Sequence, residues 1–99
     1  MPYHVQISRE DLSRLESLPH VSAGKLVDVL DEVVTYLENV ADQVREENRL
    51  APGSPYFLFE YVFVDGGHLH HLRFYVNDSH AAAGVLVVAF VDHTPGPSI

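Results

Sequence analysis

The feature that most constrains this chain is the dipeptide Gly66-Gly67, which separates two runs of apolar and aromatic residues, Tyr56 to Val64 and Leu69 to Val76. A two-residue hairpin loop needs positive φ at its central positions, and glycine adopts that conformation without steric cost. Such a tight loop also fixes register. With Asp65 opposite His68, Val64 faces Leu69, Phe63 faces His70, Val62 faces His71, Tyr61 faces Leu72, and Glu60 faces Arg73. A third apolar run, Val85 to Asp92, follows the polar connection Asn77 to Gly84 and completes an antiparallel meander. If that connection is centred near His80, Val76 is expected opposite Val85, Phe74 opposite Val87, and Arg73 opposite Val88.

Alternation with a period of two sorts these strands into two faces. Phe57, Phe59, Tyr61, Phe63, His70, Leu72, Phe74, Val76, Val85, Val87, Ala89 and Val91 form a nearly all-apolar face that should meet helices. The opposite face carries Glu60, His71, Arg73 and Tyr75 near its centre. Leu58, Val62, Val64, Leu86, Val88, Phe90 and Asp92 surround them. An apolar set of this kind on an uncovered face marks a contact surface.

The first half of the chain supplies the cover. Tyr3-His4-Val5-Gln6-Ile7 alternates as a half-buried strand with Tyr3, Val5 and Ile7 inward. Ser8 followed by Asp11 is an N-cap arrangement for a short helix from Arg9 to about Leu18, which Pro19 and His20 end. Ser22 caps a longer helix, whose apolar residues from Leu26 to Val44 keep a helical period over about five turns. Leu26, Val33, Leu37, Val40 and Val44 are expected to face the sheet, with Val27, Leu30, Val34 and Ala41 alongside. Its acidic side, from Asp28 to Glu47, is expected to be solvated. Ala51-Pro52-Gly53-Ser54-Pro55 is a linker into the meander, and residues 93–99, rich in proline, are expected to trail along the surface. The whole, 1–99, reads as one α+β domain: a strand, two helices packed on one face, and a three-stranded antiparallel meander.

Composition narrows function. Six Lys and Arg stand against 14 Asp and Glu, a formal net charge of −8, which disfavours general binding to phosphate backbones. There is no cysteine, so neither a disulfide nor a thiolate site can form. No stretch approaches the roughly 18 apolar residues of a membrane span, and the start lacks a leader pattern, so a cytoplasmic protein with no membrane contact is expected.

This order of elements resembles the RelE/ParE toxin superfamily of type II toxin-antitoxin systems. The resemblance is carried by Tyr3 to Ser8 with Asp11, Leu12 and Leu15, by Leu72-Arg73-Phe74-Tyr75-Val76-Asn77-Asp78, and by Val85 to Val91 closing on Asp92-His93. It implies a toxin component whose antitoxin covers the sheet. In members that cut messenger RNA on the ribosome, it implies a ribonuclease site on the exposed sheet face. Such a site needs cations for the charge of the transition state and acid-base groups for the 2′-hydroxyl and the leaving oxygen. The matching positions here are Arg73 for charge, with His71, His93 and Glu60 as proton carriers. Only Arg73 represents Lys or Arg after Arg49, so the expected basic complement is thin.

Read from the residues alone, Glu60 and Arg73 also make a simple cross-strand ion pair. His68-Leu69-His70-His71 raises a two-histidine edge site, with His68 near His93 and Asp65 or Asp92 completing it, yet no three-ligand metal spacing is present. No cofactor is called for. Leu58, Tyr75, Leu86, Val88 and Phe90 form the expected partner-binding patch, for an antitoxin segment or a second copy of the chain. Two readings therefore stand: a RelE/ParE-like toxin, with ribosome or RNA as target if it cleaves, and a non-catalytic interaction module working through the sheet face.

Overall fold

A computed structural model describes residues 3–98. It contains β1 (His4–Ile7), α1 (Arg9–Glu16), α2 (Ala23–Val44), β2 (Tyr56–Asp65), β3 (His68–Asn77), a 3-10 turn at Ala81–Ala83, and β4 (Val85–Ser98). The fold is α+β, with two helices on one face of a four-stranded sheet in the order β1-β4-β3-β2. The last three strands are sequential antiparallel neighbours, and β1 joins β4 in parallel through His4↔Val85 to Ile7↔Val88, which makes the sheet mixed. Met1, Pro2 and Ile99, the ends of the expected domain and tail, lie outside the described residues.

The hairpin has the register its loop dictates. Glu60 pairs with Arg73, Phe63 with His70, and Asp65 with His68, while Gly66 and Gly67 have φ of 59° and 75°. Positive φ at both loop positions matches the twist of the strands. Ser8 caps α1 by accepting from the Asp11 amide at 3.0 Å, and Ser22 caps α2 by accepting from the Lys25 amide at 3.2 Å. On α2, Leu26, Val29, Val33, Leu37 and Ala41 are buried against Phe57, Leu72, Phe74, Val76, Leu86 and Val91. Val40 and Val44 are only half-buried, and Val27 turns to solvent.

Three expectations for β4 are corrected, the first being its register: Val76 lies opposite Val88, Phe74 opposite Val91 and Arg73 opposite Asp92, and not opposite Val85, Val87 and Val88. Tyr75 pairs with Phe90 but Val76 pairs with Val88, so Ala89 is an extra residue, a β-bulge. The bulge inverts the alternation before it. Leu86 and Val88 point into the helix-covered core, at 0% and 4% exposure, while Val85 and Val87 take the other side. Residues 94–98 are not a trailing tail either. They continue the ladder on β3 through His71↔Thr94, His70↔Pro95 and His68↔Ser98. Proline is tolerated because this half of β4, beyond the end of β1, is an edge. Arg14 donates to the outward carbonyl of Val91 at 2.9 Å, and Pro95 shares Val91's strand parity, so its missing N–H faces away from β3. A Cβ on Gly96 would lie 2.8 Å from the Leu69 carbonyl oxygen, so only glycine permits this close approach at the second irregularity of the β3–β4 ladder.

Candidate functional site

The uncovered face of the sheet is built from cross-strand rows. The first is Leu58 on β2, Tyr75 on β3 and Phe90 on β4, with the Tyr75 and Phe90 rings 5.9 Å apart. The second is Glu60, Arg73 and Asp92. The third is Val62, His71 and Thr94. Side chains two residues apart on a strand share a face, so the rows lie side by side. Val62, Val64 and Phe90 are about half exposed, at 55%, 50% and 45%.

Arg73 sits between two carboxylates. Its Nη1 donates to Asp92 Oδ2 at 3.3 Å, and its Nε lies 3.9 Å from Glu60 Oε1. The other carboxylate oxygen of Glu60 lies 3.5 Å from His71 Nε2, an atom buried from solvent without a formed hydrogen bond. One fixed cation thus faces two anions, and a phosphate would have to compete with both for the guanidinium. A cationic side chain meets the opposite balance.

Of the residues singled out from the sequence, Glu60, His71 and Arg73 come together, and Leu58, Tyr75 and Phe90 flank them. Leu86 and Val88 do not contribute, because the Ala89 bulge turns them into the core. His93 does not contribute either. It pairs with Leu72 and shares that residue's helix-covered face, so the sheet lies between it and Arg73. Asp92, Val62 and Val64 stand on this face, as the alternation placed them. For Asp92 the usable signal was its neighbour relation to Arg73, hidden until the β4 register was known. Arg14 was also missed. Its guanidinium lies 4.8 Å from the centre of the Phe90 ring, pairs with the buried Asp11 at 2.8 Å, and seals the β4 edge through Val91.

At the outer edge of β2, a groove of about 540 Å³ lined by Tyr36, Val44, Arg49, Leu50, Leu58 and Glu60 runs up to the first two rows. Arg49 is committed elsewhere, to Glu46 and Asp78. The histidine edge site expected from the sequence takes another form. His68 stacks on His20 with centroids 4.0 Å apart, and His93 Nε2 meets His70 Nδ1 at 3.0 Å. Asp65 accepts from the Ser22 amide at 2.6 Å, and Asp92 is on the opposite face with Arg73. Among the described residues no group of three or more His, Asp or Glu could hold a metal ion, and no helix is long and apolar enough to cross a membrane.

No family model, curated protein or solved structure matches this chain.

Proposed function

We propose that this chain is a RelE/ParE-like toxin component that works by protein binding, taking a cationic segment of an antitoxin-type partner on the open face of its sheet. The observation that carries this reading is the central row of that face. Arg73 is held between Glu60 and Asp92, giving an anionic middle, and exposed apolar side chains lie on both sides of it. Apolar flanks supply area, and the acidic middle selects charge. A net charge of −8 favours a basic partner and opposes close approach of a second copy. The order strand, two helices and three sequential strands is consistent with the same family.

A second reading, a ribosome-dependent ribonuclease, is favoured by one contact. Glu60 lies 3.5 Å from His71, and a carboxylate–imidazole couple beside an arginine can move a proton while charge develops nearby.

Induced expression, with growth as readout, tests both readings. The binding reading expects growth arrest that Phe90→Asp and Val62→Asp abolish and that His71→Ala leaves intact. It also expects the purified protein to bind the basic product of an adjacent reading frame, weakening as salt rises. Arrest that disappears with His71→Ala, accompanied by cleavage of ribosome-bound message, favours the ribonuclease. Harmless expression together with a stable dimer in sedimentation removes the toxin reading and leaves a self-associating module.

A further inference from the structure

Three segments distant in sequence meet on the ring of His70, which is 1% exposed. Its Nε2 lies 3.0 Å from the Asp65 carbonyl oxygen at the hairpin tip and 3.2 Å from the His20 carbonyl oxygen at the corner between α1 and α2. Carbonyl oxygens only accept, so Nε2 carries the proton and donates to them. The other ring nitrogen, Nδ1, faces His93 Nε2 at 3.0 Å. One hydrogen fits between these two nitrogens. Two do not, because both would then point N–H at each other. Starting from two neutral rings, the folded pair can therefore take up one proton while keeping the contact, whereas two free imidazoles take up two.

The surroundings do not relieve this limit. From β4, Asp92 favours a charged His93, but its side chain is engaged with Arg73 on the other face. From the helix corner and β3, the stacked rings of His20 and His68 bring two more imidazoles and no carboxylate. From the hairpin, Asp65 is bound to the Ser22 amide, and Lys25 of α2 acts on Asp65. From α1, Arg14 reaches the Val91 carbonyl. Phe63 stacks on His70 at 5.0 Å and offers no polar atom. Burial, followed by the field of His70, holds His93 below the ordinary histidine range.

We propose that the His70–His93 contact is an acid-sensitive latch, which closes the distal half of β4 onto β3 and the hairpin tip and opens when the pair must accept a second proton. Residues 94–98 pair with β3 on one side only, so loss of the His93 contact leaves that stretch held by a short ladder. The hairpin tip and the His20 corner loosen with it, since both are tied to the same ring. This device lies on the face opposite the docking rows and does not depend on how they are used.

Denaturant unfolding from about pH 7.5 to about pH 5 tests the proton count. Below about pH 6.5 the wild-type folding constant is expected to fall by about tenfold or more per pH unit, as for at least one proton fewer bound by the folded chain. A glutamine amide can donate to or accept from His70 Nδ1, so His93→Gln should flatten this slope by about one proton. His68→Gln, which removes the neighbouring stack but not the latch, should keep the wild-type slope. A wild-type slope in His93→Gln, or a slope lost in His68→Gln, overturns the proposal. Nitrogen-15 titration of the wild-type rings gives an answer that does not depend on any variant folding. The two rings together should take up one proton before the amide signals of residues 94–98 change. Full, ordinary titration of both His70 and His93 in the intact fold overturns it as well.

Discussion

Gly66 and Gly67 form one turn but have different neighbours. A Cβ on Gly66 would lie 2.6 Å from the His20 carbonyl oxygen, at a φ of 59°, whereas a Cβ on Gly67 meets nothing within 4 Å. Gly67→Ala is therefore expected to cost about 1–2 kcal/mol, the penalty of the left-handed conformation alone, and Gly66→Ala about 3–4 kcal/mol. Urea midpoints of the two variants check the order as well as the size. Arg73 behaves differently, because its two ion pairs are partly exposed and screened by solvent. Arg73→Ala should change stability by less than about 1 kcal/mol in the same measurement, so any loss of growth arrest in that variant reports on the face and not on folding. The placement of Glu60, His71 and Arg73 was legible from the sequence, because a two-residue loop leaves one register for every pair behind it. The half-buried place of His93 on the helix-covered face was not legible, since a lone histidine after an apolar run carries no mark of the face it takes.

At the scale of elements, β4 holds most of what local reasoning could not reach. Every residue from Val85 to Val91 is apolar, so no alternation shows which side is buried, and Ala89 has no backbone signature of a bulge. Deleting Ala89 would force a choice between turning Leu86 and Val88 to solvent and breaking the β1 pairing. A loss of about 4 kcal/mol or more, or of the cooperative thermal transition by circular dichroism, is expected. The contact between the hairpin and α2 makes a second prediction. The Asp65 carboxylate accepts from the Ser22 amide, and this bond, more than any other influence, holds its carboxyl below the ordinary value of 3.8. A lowered folded pKa means that the unfolded chain binds more protons as pH drops. The bond's contribution is therefore complete above about pH 4 and is lost as pH falls through the folded pKa. Asp65→Asn should flatten the acid limb of stability below about pH 4 and leave the histidine-dependent region near pH 6 unchanged, as measured by urea unfolding at each pH.

For the whole molecule, charge and shape act together. Fourteen acidic residues against six basic ones surround a sheet whose open face has an anionic centre, while one long edge of β4 is sealed by Arg14 and Pro95. Sealing that edge lowers the risk of strand-to-strand association and leaves the open face as the surface on which the proposed partner would dock. Association with a basic partner should accordingly be fast at low salt. Its rate constant should fall about tenfold or more between low and physiological ionic strength, with a smaller change in dissociation rate, as stopped-flow mixing would show.

By itself, the sequence determined what short-range rules control: the hairpin and its register, both helix caps, Leu26, Val33 and Leu37 of the buried stripe of α2, and the side of β2 and β3 on which Glu60, His71 and Arg73 stand. Only the tertiary structure decided the parallel seat of β1 beside β4, the bulge at Ala89, the continued pairing of residues 94–98, and the removal of Leu86, Val88 and His93 from the open face. The physical reason is the length of the connection. A two-residue loop transmits register without loss, whereas the turn before Val85 and the two helices after Ile7 leave many registers open, and packing against the helices chooses among them.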